Sequence, residues 1–246
     1  MLLKEHFVTV GGWLFRWRSY LPLALVAVIL PAFARFTYPL GSHAYDLAWE
    51  MGCFAVSLGG LAIRGYTIGH APRGTSGRNT KTQRAETLNT TGIYSITRNP
   101  LYLGNFFMML GVSLFVRVWW VSLIYLLAFW LYYERIILAE ESFLLSRFGA
   151  DYEAYARRTP VFVPRFALWR ANVIPFSLRT VLKREYSGFF GLIAAFTTLE
   201  MVGDCFVEGR LVWDPVWVVL FLFGLLTYIV LRTLKKKTHW LRVEGR

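Results

Sequence analysis

Long apolar segments, separated by short polar ones, run through most of the chain and predict an all-α bundle of transmembrane helices. About 20 mainly apolar helical residues cross a hydrocarbon core about 30 Å thick. Six segments approach that length: 20–38, 46–69, 101–116, 118–137, 187–207 and 214–233. The third is short, and Arg117 separates it from the fourth, so we expect these two to form a tight helical hairpin. Residues 1–246 are thus expected to form a single polytopic membrane domain of about six spans.

Basic residues are distributed unequally around these segments and predict their orientation, because lysine and arginine accumulate in cytoplasmic loops. With six spans, both termini share one side of the membrane. That side carries Lys4, Arg16, Arg18, the 73–98 loop, the 147–184 region and the lysines at 235–237. The opposite side receives Arg35, Arg117 and Arg210. We therefore expect both termini to be cytoplasmic, in a membrane of the bacterial inner type.

The composition agrees with a membrane protein and argues against a nucleic-acid partner. Hydrophobic residues make up 56% of the chain, whereas roughly 45–50% is usual for soluble domains. The net charge of +12 comes from residues that flank apolar segments, so it is explained by topology and by contacts with anionic lipid headgroups. Cys53 and Cys205 lie in apolar stretches, and the four histidines are scattered without metal-ligand spacing. The sequence therefore predicts no metal site.

A first polar cluster, residues 92–105, stands at the start of the third predicted span. Its candidate functional residues are Tyr94, Arg98, Asn99, Pro100, Tyr102, Gly104 and Asn105. Pro100 suits a first helical turn because its missing N–H would have no partner there, and Thr97 and Asn99 are expected to cap this start. A helix N-terminus with Arg98 beside it favours a carboxylate or a phosphate. The alternative is a membrane anchor, with arginine and tyrosine at the headgroups.

A second polar cluster, Glu140 and Glu141, follows the fourth predicted span. Acidic residues at the border of a membrane helix are costly unless they are paired or solvated. Arg135, about one turn earlier, is one candidate partner, and a cationic ligand is another. The alternative is the solvated start of a new helix.

Amphipathic and interfacial segments are expected after these glutamates. Residues 140–158 predict a cytoplasmic amphipathic helix, which Gly149 interrupts and in which Asp151 caps a second part. Residues 162–183, with Trp169 and several arginines, are typical of an interfacial segment.

The paired clusters resemble the motifs of the isoprenylcysteine carboxyl methyltransferases, a family that itself resembles the integral-membrane phospholipid methyltransferases. They comprise residues 92–104 and then, in order, Glu140, Glu141, Leu144, Phe148, Gly149, Tyr152, Tyr155 and Pro164. The resemblance covers about residues 58–164, which are expected to form a cofactor-binding core. Residues 165–246 are expected to add the interfacial segment and the last two spans.

This resemblance implies a membrane methyltransferase that uses S-adenosyl-L-methionine. The pocket residues that it implies are Arg98, Asn99, Pro100, Tyr102, Gly104, Glu140 and Glu141, and we add the neighbouring Tyr94 and Asn105. We expect Arg98, Glu141 and Arg135 to act in catalysis. Asn99 stands where the family pattern has histidine, and an amide hydrogen-bonds but does not titrate.

The chemistry of that cofactor suits these side chains. A carboxylate pair matches its ammonium, an arginine at a helix N-terminus matches its carboxylate, and tyrosine rings match its adenine. The chain lacks a G-x-G-x-x-G motif after a strand pattern, so the soluble dinucleotide-type mode of binding is not expected.

The methyl acceptor is expected to be an anionic oxygen of an amphiphile that enters from the bilayer. An anionic carboxylate or phosphate needs no general base, whereas an amine must first lose a proton, and Asn99 cannot accept one. Arg73, Arg78 and Arg84 in the basic loop are expected to bind this acceptor, with Arg135. A lipid phosphate and a prenylcysteine carboxylate both remain open.

Two other functions are compatible with parts of this pattern. Membrane sterol and enone reductases share an Asn/His-Pro-x-Tyr-x-Gly-like element but use NADPH, and the Glu140-Glu141 pair argues against them. A transporter would place its site near the bilayer midplane, between repeated halves, whereas these clusters lie at a membrane border and no repeat is visible.

Overall fold

The computed structural model describes residues 2–18, 20–72 and 85–243, and this part of the chain is mostly helical. Its α-helices are α1 (Leu3–Trp17), α2 (Leu21–Ile29), α3 (His43–Gly69), α4 (Pro100–Phe115), α5 (Trp119–Phe148), α6 (Ala150–Arg158), α7 (Leu178–Glu208) and α8 (Pro215–Lys237). The predicted all-α helix bundle is therefore confirmed.

Four of these helices, α3, α5, α7 and α8, are long and apolar enough to cross a membrane. The other two predicted spans form shorter helices, as expected for 101–116 but not for 20–38. Helix α4 has 16 residues, and the segment 20–38 forms α2 followed by a 3₁₀ helix, Leu30–Arg35. The α-helix ends before Pro31 because a proline ring clashes with the preceding turn and lacks an N–H.

Helix α1 is a packed part of the bundle that the sequence analysis did not predict. It lies along α5, where a Cβ added to Gly11 would be 2.0 Å from the carbonyl oxygen of Arg135. The Tyr132 hydroxyl donates a hydrogen bond to the Leu14 carbonyl at 3.0 Å, and Phe15 is buried against Tyr132. Such close contact requires glycine, so Gly11 fixes where the two helices meet.

Helices α3 and α4 also approach each other at backbone distance. A Cβ added to Gly60 would lie 2.4 Å from the Gly104 carbonyl oxygen, and one added to Gly111 would lie 2.3 Å from the Cys53 carbonyl oxygen. Small residues at such positions are the usual means by which membrane helices pack without a hydrophobic driving force. Gly104 therefore allows α3 to lie close to α4, both at the Gly60 carbonyl and at the Arg64 side chain.

The hairpin of α4 and α5 turns at Val116–Val118, as predicted. Arg117 adopts a positive φ of 55° and forms an ion pair with Asp46 at the start of α3. It also donates a hydrogen bond to the Thr37 carbonyl at 2.6 Å. The turn is therefore fixed to two other parts of the fold.

Helix α5 continues without interruption through both glutamates of the second cluster. It ends at Phe148, and Gly149, with φ of 53°, connects it to α6. The alternative of a solvated helix start at Glu140 is therefore wrong, and the interruption at Gly149 is confirmed. Asp151 does not cap α6, because Gly149 occupies the N-cap position and Asp151 already lies in the first turn, where its charge suits the helix dipole.

The chain after α6 returns across the start of α4 before α7 begins. Arg165 N–H donates to the Ile96 carbonyl at 3.0 Å, and the Thr97 hydroxyl donates to the Phe162 carbonyl at 3.0 Å. The Phe162 ring packs against Phe106 and Phe129, with centroids 5.8 Å away in each case. Phe162 is thus partly buried, and α7 already begins at Leu178; the interfacial character expected for 162–183 stays a prediction.

The bundle has two chemically different ends. We call the end that holds Arg98 and Glu141 the motif end, and the end that holds Asp46 and Glu200 the acidic end. Helix α3 runs from the acidic end at Asp46 toward the motif end at Arg64, which contacts Asn105 of α4. Residues 18 positions apart on one helix are separated by about 27 Å, so the two ends are distinct sites.

Candidate active site

An ion pair between Arg98 and Glu141 joins the two polar clusters. Arg98 Nη2 lies 3.0 Å from Glu141 Oε1, and both side chains are largely shielded from solvent. Arg98 Nη1 also donates to the Ala156 carbonyl at 2.9 Å, and its backbone N–H donates to the Pro160 carbonyl at 2.9 Å. This one residue therefore connects the start of α4 with α5, with α6 and with the segment that follows α6.

Two polar atoms of this pair have no hydrogen-bond partner among the described residues. They are Arg98 Nε and Glu141 Oε1, and both are buried; Glu141 Oε1 is engaged through its ion pair with Arg98 Nη2 but accepts no hydrogen bond of good geometry. Buried polar atoms in folded proteins are nearly always hydrogen-bonded, and an exception needs an explanation. A donor and an acceptor side by side suit a ligand that carries both a carboxylate and an ammonium group.

Glu140 faces a different set of groups from its neighbour. Arg18 Nη1, just after α1, lies 3.8 Å from Glu140 Oε1, and the Tyr102 hydroxyl interacts with the Glu140 carboxylate. Tyr152 of α6 interacts in the same way with the Glu141 carboxylate. Each glutamate thus has its own arginine and its own tyrosine.

Arg135 does not pair with these glutamates, contrary to the expectation from sequence. Its guanidinium lies 4.8 Å from the centre of the Phe7 ring and hydrogen-bonds to the Leu131 carbonyl of its own helix. The reason is helical geometry, because five residues turn a helix about 140° beyond a full turn. Arg135 therefore faces α1, while Glu140 faces Arg18 and Tyr102.

A second polar network, buried between α3, α4, α5 and α7, supports the first. Arg64 Nε and Nη2 donate to the Glu185 carboxylate at 2.9 and 2.8 Å. Arg64 Nη1 donates to Asn105 Oδ1 at 2.7 Å, and Asn105 Nδ2 donates to the Tyr133 hydroxyl at 3.0 Å. Tyr133 in turn packs on Tyr102, with centroids 4.7 Å apart. Asn105 therefore uses both ends of its amide to position Tyr133 and, through it, Tyr102.

The start of α4 is not capped as predicted. Pro100 does occupy the first turn, but neither Asn99 nor Thr97 hydrogen-bonds to its free N–H groups. Asn99 Nδ2 donates instead to the Val161 carbonyl at 2.9 Å, and the Thr97 hydroxyl is taken by Phe162. The chain that crosses after α6 competes for these side chains, which leaves the first N–H groups of α4 without a side-chain cap.

Tyrosines surround this site outside the membrane-spanning helices. Burial raises the pKa of the Tyr94 phenol well above its ordinary value, and the Glu140 carboxylate raises it further. The Tyr155 hydroxyl donates to the Tyr94 carbonyl at 2.7 Å, and burial likewise raises the pKa of Tyr155. Both phenols therefore stay neutral at physiological pH.

An apolar cavity of about 390 Å³ lies beside the site, between α1, α2, α4 and α5. Its lining is mainly aliphatic and aromatic, and its charged members are Arg18 and Arg135. Arg18 also reaches Glu140, so the cavity and the ion-paired cluster share a residue. Arg135, which the sequence assigned to catalysis, belongs to this cavity.

The structure brings together most of the residues that the sequence singled out. Tyr94, Tyr102, Asn105, Glu140 and Glu141 all lie around Arg98 or its direct neighbours. Arg73, Arg78 and Arg84 lie outside the described residues.

Sequence reasoning missed several members of this site. They are Arg18, Tyr133 and the Arg64–Glu185 pair, whereas Tyr152 was named as part of the motif but not as a site residue. Arg64 was noticeable as an ionisable residue in a predicted span, but its partner lies in α7, far along the chain.

A known protein family matches the central part of this chain, and individual proteins resemble more than half of it. Residues 66–151 match the family described as phospholipid methyltransferase. A nickel-cobalt-cadmium resistance protein of Alcaligenes xylosoxydans xylosoxydans is 32% identical over 63% of this chain and 66% of its own length. A cobalt-zinc-cadmium resistance protein of Cupriavidus metallidurans is 35% identical over 54% of this chain and 59% of its own. This chain thus spans slightly less than two thirds of the length of both.

A third relative carries an enzyme's name. It is the protein-S-isoprenylcysteine O-methyltransferase of Saccharomyces cerevisiae, 29% identical over 65% of this chain and 67% of its own length. No solved structure matches the chain. The resemblance to isoprenylcysteine and phospholipid methyltransferases predicted from the sequence is therefore confirmed.

Proposed function

We propose that this protein is a membrane methyltransferase, starting from the match of residues 66–151 to the phospholipid methyltransferase family. It transfers a methyl group from S-adenosyl-L-methionine to an anionic oxygen, carboxylate or phosphate, of a membrane lipid or prenylated amphiphile. The observation that carries the proposal is the ion pair of Arg98 and Glu141 at 3.0 Å. It makes one site of the two motifs and lies next to an apolar cavity.

The side chains of this site fit the polar end of that cofactor. Arg98 Nε is a buried donor without a hydrogen-bond partner among the described residues, which suits a carboxylate, and the Glu141 carboxylate, which already pairs with Arg98, suits an ammonium group. Tyr94 and Tyr102 offer ring faces for adenine. Asn105, which is already engaged with Arg64 and Tyr133, acts on the pocket by positioning Tyr133 rather than by contact.

The cofactor supplies a methyl group on a cationic sulfur, and the protein's own residues do the rest. Glu140 and Glu141 place negative charge in a site from which water is largely excluded, where electrostatic interactions are strong. Arg98 holds α4, α5 and α6 together, so acceptor and donor groups meet in a fixed geometry. Asn99 and the neutral Tyr94 and Tyr155 do not take a proton at neutral pH, which favours an acceptor that is already anionic.

The cavity favours an acceptor with an apolar tail. A tail inside it would leave its headgroup near Arg18, whose guanidinium lies 3.8 Å from Glu140. Arg18 and Arg135 are the cationic groups of the lining and suit an anionic headgroup. The distribution of basic residues supports a cytoplasmic motif end.

Binding of S-adenosylhomocysteine to the detergent-purified protein tests the cofactor. We expect saturable calorimetric binding to the wild type and weaker binding to Glu141→Gln and Arg98→Ala. Glu153→Gln is the matched control, because Glu153 is an exposed acid on α6 that pairs with Arg157. Binding that is equal in all four proteins, or absent from a folded wild type, would contradict the proposal.

Methyl transfer to defined amphiphiles then tests the acceptor. The protein is incubated with isotopically labelled S-adenosyl-L-methionine and either a phospholipid, a lipid phosphate monoester or a prenylcysteine, and labelled product is measured by mass spectrometry. Label in a phosphate or carboxylate ester supports the proposal. Label only in an amine headgroup would refute the anionic acceptor, and thermal stabilisation by NADPH but not by S-adenosylhomocysteine would favour a reductase.

The names of the two bacterial relatives favour a second candidate function, a contribution to resistance against divalent metal ions. A host strain that lacks this protein would then grow poorly with nickel, cobalt, zinc or cadmium salts. Complementation with the wild type and with Glu141→Gln separates the two functions. Rescue by both would make resistance independent of methyl transfer, and rescue by the wild type alone would connect them.

A further inference from the structure

Five carboxyl groups are buried together at the acidic end, away from the methyltransferase site. They are Asp46 and Glu50 of α3, Glu200 and Asp204 of α7, and Asp214 at the N-cap of α8. Each of these residues is at most 6% exposed. Burying an acidic group without a counter-charge is costly, so such a concentration needs a compensating cation or protons.

Basic side chains of the described residues compensate only part of this charge. Arg117 pairs with Asp46. His43 Nε2 lies 3.4 Å from Asp214 Oδ2 and 3.9 Å from Glu200 Oε1, and its side chain is 45% exposed. One arginine and one half-exposed imidazole thus face five acids.

Glu200 is the least satisfied member of the cluster. It is 2% exposed, yet neither of its carboxylate oxygens has a hydrogen-bond partner among the described residues. Glu50 Oε1, Asp46 Oδ2 and Asp204 Oδ2 are buried without a hydrogen bond as well. These oxygens are available to a ligand, and they come from α3 and α7, the two long helices that pack together here.

Hydrogen bonds from outside the cluster orient several of its carboxylates. Trp217 Nε1 donates to Glu50 Oε2 at 2.8 Å, and the Tyr38 hydroxyl donates to Asp204 Oδ1 at 2.8 Å. Asp214 Oδ1 accepts the Val216 and Trp217 N–H groups of α8, which leaves Oδ2 toward His43. Outer partners that engage one oxygen and present the other are typical of metal sites.

We propose that the acidic end binds one divalent transition-metal ion through His43, Glu200 and Asp214. Their ligand atoms lie within 4.8 Å of one another. Tetrahedral ligands with bonds of about 2.1 Å are about 3.4 Å apart, close to the separations already present. Asp46 and Glu50 form a second such group with Glu200 and supply negative charge behind the ion.

The donor set selects the class of ion. One imidazole with carboxylates suits zinc, cobalt or nickel, whereas magnesium and calcium prefer oxygen alone. His43, as the most exposed of the three ligands, lies where an ion would enter. The sequence predicted no metal site because the three ligands are separated by most of the chain and meet only where α3, α7 and α8 pack.

Metal uptake by the purified full-length protein, freed of any affinity tag and of metal by chelator, tests this site. Cobalt(II) is titrated while its visible absorption bands are recorded, and bound zinc is counted by mass spectrometry after dialysis. We expect about one ion per chain, and at least about tenfold weaker binding in Glu200→Gln and His43→Ala. Magnesium at the same concentration should not compete.

Matched variants separate this site from general surface binding. Glu208→Gln removes an exposed acid at the end of α7, and His239→Ala removes an exposed histidine; both should bind metal like the wild type. Glu200→Gln should stay folded, because it removes a buried charge, and size-exclusion chromatography checks this. If Glu200→Gln does not fold, the metal affinity of His43→Ala, a variant at a half-exposed position, decides the test.

Other results overturn the proposal. Uptake that is equal in the wild type and His43→Ala would show adventitious binding. No uptake by the wild type would mean that protons alone neutralise the cluster. Because the readout is metal binding, the test does not depend on methyl transfer.

Discussion

Arg98 and Glu141 come from different polar clusters, and their charged atoms lie 3.0 Å apart where α4 begins and α5 approaches its end. The pair occupies a site largely shielded from solvent, so each partner's charge depends on the other. Breaking a buried pair leaves an uncompensated charge, which costs more than the pair itself contributes.

Removing both partners of this pair should therefore cost less than the two single losses added together. We expect Arg98→Met or Glu141→Gln to destabilise the protein by about 2 kcal/mol, and the double variant by less than the sum of the two. Thermal unfolding in detergent measures the coupling as a double-mutant cycle. Additive losses would show that the two charges do not interact.

Arg135 should behave differently from Arg98 although the sequence assigned both to catalysis. Its guanidinium faces Phe7 and the cavity, so Arg135→Gln is expected to leave S-adenosylhomocysteine affinity unchanged. It should raise the KM for an anionic amphiphile, because one cationic group of the lining is lost. Reduced S-adenosylhomocysteine affinity in Arg135→Gln would show instead that Arg135 belongs to the cofactor site.

Gly104 is expected to tolerate no side chain. A Cβ there would lie 2.7 Å from the Gly60 carbonyl oxygen, and backbone cannot move aside as a flexible side chain can. We expect Gly104→Ala to cost about 1–3 kcal/mol. Gly52→Ala on α3 is the control, because its Cβ would meet nothing within 4 Å; it should be neutral or stabilising. Equal thermal midpoints for the two variants would contradict the close packing.

Gly92 and Gly149 form a natural pair for separating strain from steric contact. Both have positive φ, 59° and 53°, with similar ψ, so alanine is strained equally at each. A Cβ at Gly92 would also lie 1.7 Å from Asn172 Oδ1, whereas at Gly149 the space is open. Gly92→Ala should lower the unfolding midpoint more than Gly149→Ala, and Asn172→Ala should reduce that difference.

Tyr155 makes stability depend on alkaline pH. Burial raises the pKa of its phenol in the folded state, so the folded protein holds this proton more tightly than the unfolded chain does. Stability is then complete below the ordinary pKa near 10 and falls as pH rises above it. Tyr155→Phe should lose about 1 kcal/mol at pH 7 with the hydrogen bond to Tyr94, yet show a shallower decline between pH 9.5 and 11. An unchanged slope would assign the decline to other groups.

The sequence by itself determined the class of fold and the position of the motifs. Apolar segments of span length predict membrane helices because hydrocarbon leaves no partner for a free backbone group. Pro100 and Gly149 specify a helix start and a helix end through their own backbone chemistry, and both act as expected. Arg98 and Glu141 were recognised because charged residues at a membrane border are too costly to be incidental.

Only the tertiary structure decided how these residues are paired. Arg18 rather than Arg135 faces Glu140, because Arg135 and Glu140 lie on different faces of α5. The Asn99 side chain donates a hydrogen bond to the segment after α6 rather than capping α4, the helix that it precedes. His43, Glu200 and Asp214 meet because α3, α7 and α8 pack together at one end. Such long-range pairings are set by which helix faces pack against each other, and periodicity along one segment carries no information about the partner that another segment brings.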